Sequence, residues 1–147
     1  MKNIVSIVLL SILLVSCKQQ IQPSDVVKIN GYWEIEKVVF DEGEDKEYGA
    51  NQNYDYFQIG KNNQGIRKKV APQLNGTFLV NDTYENVSVR FQDGKAYLDY
   101  STPYMKYSEE VIELTADELV ITNAQKKEFH YKKATAINIL GDGKKTK

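Results

Sequence analysis

Apolar and polar positions alternate with a period of two along most of the chain after Val26. Val87, Val89 and Phe91 alternate with Ser88, Arg90 and Gln92, and Ala96, Leu98 and Tyr100 with Tyr97 and Asp99. Ile112 and Leu114 alternate with Val111 and Glu113, Leu119 and Ile121 follow, and Phe129 and Tyr131 alternate with His130 and Lys132. Such alternation predicts strands with one face in a core. Turn signals separate the runs: Asn75-Gly76, Asp93-Gly94, Ala116-Asp117 and, more weakly, Asn123-Ala124-Gln125. Asn-Gly and Asp-Gly suit hairpins, whose two central positions need positive φ. The pattern predicts strands at 31–40, 54–60, 65–71, 77–82, 86–92, 95–101, 107–114, 118–122 and 127–133. Many short strands joined by hairpin turns predict an all-β antiparallel sandwich or barrel. Ala134 to Leu140 is the one helical candidate after residue 26, ended by Gly141-Asp142-Gly143.

The N-terminus departs from this pattern. Lys2 is followed by an apolar span from Ile4 to Val15, broken only by Ser6 and Ser11. That span is too short to cross a bilayer as a helix, which needs about 20 residues. A short apolar stretch behind a positive charge predicts a secretory signal. It ends in Leu14-Val15-Ser16-Cys17, and Cys17 is the chain's single cysteine. This run resembles the lipobox of bacterial lipoprotein signal peptides. The resemblance implies cleavage before Cys17, acylation of Cys17, and attachment by lipid to the cell envelope, on the periplasmic face of the outer membrane. The chain then divides into a signal peptide (1–16), a lipidated N-terminus and tether (17–27), a barrel domain (28–134) and a tail (135–147).

Composition narrows the partners. The formal net charge is −1, which leaves no general footprint for nucleic acid. With one histidine and no cysteine beyond Cys17, no metal site and no cofactor are expected. His130 falls on the outer face of its strand by the period of two, as a solvated side chain rather than a general base. No serine sits in a nucleophile elbow, and no glycine-rich loop has phosphate-binding spacing. No catalytic residue is assigned, and a non-enzymatic protein is expected.

Three features invite a binding reading. Arg67-Lys68-Lys69 puts Arg67 and Lys69 on one strand face and Lys68 on the other. Either one face meets a cavity or an interface, or this is an edge strand guarded by lysine. Ten tyrosines suit a cavity or an interface, since each joins an apolar ring to a polar tip. They are also ordinary strand formers. Asp41-Glu42-Gly43-Glu44-Asp45-Lys46-Glu47 reads as a solvated loop, the alternatives being a lid or a weak cation site.

Asn30-Gly31-Tyr32-Trp33-Glu34-Ile35 opens the first strand, and its Gly31 and Trp33 are similar to the Gly-x-Trp signature of lipocalins. With the lipobox and the run of strands, the chain resembles the small lipocalin-like lipoproteins of Bacteroidetes. That resemblance implies an up-and-down barrel of eight or nine strands, with Trp33 plugging the closed end. Lipocalins cover that tryptophan with a late arginine. This chain has only Arg67 and Arg90, so the cover falls to Lys132 or Lys133. A Thr-Asp-Tyr motif found in lipocalins is missing. The resemblance places the cavity mouth opposite Trp33, near 41–53. The candidate lining residues are Tyr54, Tyr56, Tyr100 and Tyr104, with Arg67 or Lys69 meeting an anionic head group. The expected ligand is a small apolar or amphipathic molecule such as a fatty acid. The alternative is a filled barrel whose outer surface docks on another envelope protein.

Overall fold

A computed structural model describes residues 20–135. The signal peptide expected at 1–16, Cys17 and all but the first two residues of the helical candidate Ala134 to Leu140 lie outside the described residues. A 3₁₀ helix (Pro23–Ile29) precedes ten strands: β1 (Gly31–Val39), β2 (Lys46–Glu47), β3 (Tyr54–Ile59), β4 (Gln64–Pro72), β5 (Phe78–Val80), β6 (Glu85–Gln92), β7 (Lys95–Ser101), β8 (Lys106–Leu114), β9 (Glu118–Thr122) and β10 (Glu128–Ala134). Eight of them close an antiparallel ring in the order β10-β9-β8-β7-β6-β4-β3-β1, with β10 pairing back onto β1. The short β2 pairs with β1, and β5 with β4, outside that ring. Closure of the ring removes the long free edge that is the usual hazard of an all-β chain.

Every neighbour in the ring is antiparallel, so the connections fall at two ends. One end holds the 3₁₀ helix, the turns after β3 and β8, and the two-residue Asp93-Gly94 turn between β6 and β7. Asp93 (φ 53°) and Gly94 (φ 75°) both take positive φ there, as the Asp-Gly signal requires. The other end carries the long connection after β1, the short β5–β6 connection, the β7–β8 turn and the β9–β10 turn.

The first end is sealed from the sequence outward. Val26 and Ile29 of the helix are buried in the core cluster with Trp33. Trp33 is fully buried, and its indole Nε1 donates to the Ile29 carbonyl at 2.7 Å. Asn30 ties the helix exit to β3, accepting from the Ile59 amide and donating to its carbonyl. Gly31 enters β1 at φ +114°, where an added Cβ would press on the Lys133 side chain. Above this floor, Phe57, Val87, Leu98, Leu119 and Ile121 fill the barrel's middle.

Two bulges set which residues face inward. The β1–β10 register shifts between Ile35 and Lys37, so that Val38, rather than an odd-numbered neighbour, pairs with inward Phe129. The β8–β9 register shifts between Val111 and Glu113. Alternation alone groups Ile112 with Leu114. In the structure Val111 and Leu114 are the buried pair and Ile112 is not, because the extra residue of a bulge re-phases the strand.

Candidate functional site

The upper half of the barrel is lined by charge. β3 and β4 pair Asp55 with Lys69 and Phe57 with Arg67, so Asp55, Arg67 and Lys69 share the inner face. Asp55 is 2% exposed. Its Oδ1 accepts from Arg67 Nε at 3.0 Å and from Lys69 Nζ at 2.7 Å. Arg67 Nη1 lies 3.7 Å from Glu85 Oε2, and Glu85 in turn accepts from the Tyr107 hydroxyl at 2.7 Å. The guanidinium sits over the rings of Tyr100 (5.2 Å) and Phe57 (5.7 Å). Glu109 and Tyr131 complete the cluster from β8 and β10, both largely buried.

The electrostatics follow from this packing. Burial pushes the Asp55 carboxyl up, but Arg67 and Lys69 more than offset it, and the net shift is downward. Glu109 goes the other way. Burial raises it, Arg67 opposes, and the nearby Asp55 and Glu85 carboxylates add to the rise. Burial also raises the hydroxyls of Tyr100, Tyr107 and Tyr131. One guanidinium thus serves three carboxylates, with Lys69 as the second cation.

Above the cluster, at the end opposite Trp33, lies a cavity of about 500 Å³. Arg67, Lys69, Glu85 and Tyr107 form its inner side, and Tyr84, Pro103 and Tyr104 its outer walls, with Lys68 at the edge. The walls come from two connections, the one entering β6 and the β7–β8 turn. Thr102 shapes that turn, with its Oγ1 accepting from the amides of Tyr104 and Met105. The arrangement offers ring faces to an apolar body and ammonium groups to an anion.

The sequence-based candidates separate on this frame. Arg67 and Lys69 line the cavity from within, as expected if their face meets one, and β4 is paired along both sides rather than being a free edge. Tyr104 stands at the rim, 95% exposed. Tyr100 is inward but lies below the cavity, 1% exposed and stacked on Tyr107 at 4.7 Å. Tyr54 and Tyr56 do not line it. The inward positions of β3 are Asp55, Phe57 and Ile59, so both tyrosines face outward. There Tyr56 packs on Tyr32 at 4.8 Å and Tyr54 lies 6.3 Å from Phe78, which itself stacks on Tyr32 at 4.0 Å. The β4–β5 hairpin covers them, which explains why Tyr54 is buried although it lies outside the main core cluster. The mouth is at the end expected, but the cavity leans toward the β5–β6 and β7–β8 connections and does not touch 41–53.

Tyr84, Glu85, Tyr107, Lys68 and Pro103 join the lining in addition to the sequence candidates, and Asp55 and Glu109 lie beneath it. A signal for Asp55 exists in the chain: a carboxylate in phase with Phe57 and Ile59 marks a charge on a core face. Glu109 in phase with Val111 carries the same signal. Lys133, not Lys132, covers Trp33. Its Nζ lies 4.0 Å from the ring centroid and donates to the carbonyls of Lys28 and Asn30. Lys132 points outward to Glu34 and Glu36. His130 pairs with Glu128 at 3.2 Å on the outer side of β10. No helix among the described residues is long and apolar enough to cross a membrane.

The profile of the lipocalin-like domain family matches residues 29–121. Among solved structures, a lipocalin-like protein from Bacteroides uniformis ATCC 8492 shares 12% identity over 73% of this chain and 99% of that one, with a TM-score of 0.48. An uncharacterized protein from Bacteroides eggerthii DSM 20697 shares 12% identity over 71% of this chain and 98% of that one, with a TM-score of 0.45. No curated protein matches the sequence.

Proposed function

The chain belongs to the lipocalin-like domain family, and on that premise we propose that it binds a small amphipathic anion at the barrel mouth. The observation that carries this reading is the cavity of about 500 Å³ walled by Tyr84, Pro103, Tyr104 and Tyr107 over Arg67 and Lys69. That volume falls within the range of small-molecule sites, which combine apolar walls with a few placed polar groups. Both cations pair with Asp55, but Arg67 is nearly buried and also faces Glu85, whereas Lys69 keeps more than half of its side chain exposed and is the cation that meets the anionic group. A fatty acid or an aromatic acid has the matching chemistry. The protein acts as a binder rather than an enzyme, held in the cell envelope by acylated Cys17, at the periplasmic face of the outer membrane.

Titrating the purified domain with an environment-sensitive fluorescent fatty acid tests this. Saturable binding that weakens in Lys69→Ala and in Tyr104→Ala supports the reading. Absence of saturable binding in the wild type removes it.

A second reading has one observation in its favour. Below the mouth the barrel is filled, since Trp33, Phe57, Leu98 and Tyr100 are all at most 2% exposed. A filled barrel suits docking on another envelope protein through its surface, where Leu79, Val80, Tyr84, Tyr104 and Met105 are exposed. Native mass spectrometry after gentle extraction separates the two readings, by a retained small molecule or a co-purifying protein.

A further inference from the structure

The first described residues fix where the chain leaves the barrel. Gln20 lies against the Asp93-Gly94 turn, its amide nitrogen 3.2 Å from where a Cβ on Gly94 would stand. Ile21 packs on the core. The Gln22 amide donates to the Asp25 carboxylate at 2.9 Å, and the helix that follows buries Val26 and Ile29. The chain is therefore seated on the closed end from Gln20 onward, only three residues after Cys17. A fully extended chain covers at most about 3.6 Å per residue, so the three residues between Gln20 and an anchor at position 17 can span no more than roughly 11 Å. β8 runs from the mouth to the closed end over Lys106–Leu114. At about 3.3 Å per residue and a tilt near 40°, that separates the two ends by roughly 20 Å.

We propose that the closed end rests against the membrane and that the mouth opens away from it, so that ligand arrives from the aqueous side. This rests on the reading of Cys17 as a lipid anchor. The surface turned to the bilayer carries Val27, 69% exposed, with Lys61 beside it in the same shallow depression. An apolar side chain next to a cation suits an interfacial position. The orientation selects among ligands. A phospholipid of the anchoring leaflet cannot slide into a mouth held roughly 20 Å away by the tilted strands. The ligand is an anionic amphiphile or aromatic acid that is dispersed in water or delivered by a carrier.

The test uses the full chain, expressed with its signal, processed and reconstituted in vesicles containing spin-labelled phospholipid. Val27→Cys and Met105→Cys variants, each labelled with a fluorophore at the new thiol, report the two ends. Intact mass and vesicle flotation first establish that Cys17 is acylated. Strong quenching at position 27 with little at position 105 is the expected result. Equal quenching, or stronger quenching at 105, in protein that is acylated and floats overturns the orientation and leaves the anchor standing. An unacylated product that stays in solution removes the anchor and the orientation together. Binding of the fluorescent fatty acid by the unlipidated domain is read separately, so neither outcome is confused with loss of the mouth site.

Discussion

The Lys133 ammonium stands 4.0 Å above the Trp33 ring and donates to the carbonyls of Lys28 and Asn30. One cation thereby joins the last barrel strand, the plug and the end of the 3₁₀ helix. It stands in the place of the arginine that covers this tryptophan in lipocalins. Burial lowers the Lys133 pKa, yet the two carbonyls and the ring face give the charged form its partners. Lys133→Ala leaves both carbonyls without their donor and uncovers one face of the indole. A loss of about 1–3 kcal/mol is expected. Thermal melts measure it, and the emission of this sole tryptophan should shift to the red. Lys133→Arg should recover part of the loss.

Trp33 itself is the larger test. Truncating a buried aromatic of this size to alanine typically costs about 3–5 kcal/mol. Trp33→Ala should leave the domain unfolded or strongly lowered in melting temperature. A folded variant with wild-type stability would show that the plug is dispensable.

Asp55→Ala should be among the most damaging single changes in the interior. It leaves the buried Arg67 guanidinium without its closest carboxylate, with Glu85 at 3.7 Å the nearest ion-pair partner that remains, and breaking a buried pair by removing one partner costs roughly 3–5 kcal/mol. Denaturant unfolding reads the effect. The double variant Asp55→Ala, Arg67→Met should be more stable than Asp55→Ala alone, because it removes the buried charge that lost its closest partner.

Asp55 and Glu109 predict opposite pH dependences. The Asp55 pKa is lowered on folding, so its contribution is present above the ordinary aspartate value of about 3.9 and is lost as pH falls through the native value. The Glu109 pKa is raised, so its contribution is present below about 4.3 and is lost as pH rises through the native value. Glu109→Gln, which cannot ionise, should gain on the wild type as pH rises from about 4 toward neutrality. Melting temperatures of both proteins across that range decide it, and a constant difference would mean Glu109 does not titrate there.

Gly65 pairs with Ile59 where β3 and β4 meet. A Cβ at Gly65 would overlap the Gln58 carbonyl oxygen. Backbone on a neighbouring strand cannot yield to it without moving the β3–β4 pair. Gly65→Ala should therefore cost more than about 3 kcal/mol, well above the usual effect of a single substitution. Circular dichroism melts provide the measurement.

Much of this barrel is legible from alternation alone. Each strand expected between 31 and 133 is present, and the Asp93-Gly94 turn takes the backbone that its residues require. The Gly31–Trp33 motif marks the closed end as the resemblance implies. The short β2 has no such signature, since Lys46-Glu47 carries no apolar pattern and owes its pairing to β1. Alternation misplaces Ile112 with Leu114 because a bulge leaves no trace in hydrophobic period. Tyr54 and Tyr56 read as cavity residues because a tyrosine's chemistry does not reveal its face, and the hairpin that covers them arrives from later in the chain. Arg67 and Lys69 are legible because two cations two residues apart on a strand share a face. Their partner Asp55 is hard to see because it lies twelve residues earlier than Arg67 (|i−j| = 12), and only the pairing of β3 with β4 brings it across.

The ion pair at the heart of the barrel also limits how the proposed site can evolve. Enlarging the interior by a single substitution at Asp55 or Arg67 passes through a protein in which a buried charge has lost one of its two ion-pair partners. Natural variants that deepen the pocket should therefore have exchanged both residues together. Variation in ligand preference should meanwhile collect at Tyr84, Pro103 and Tyr104, where a change disturbs no buried charge.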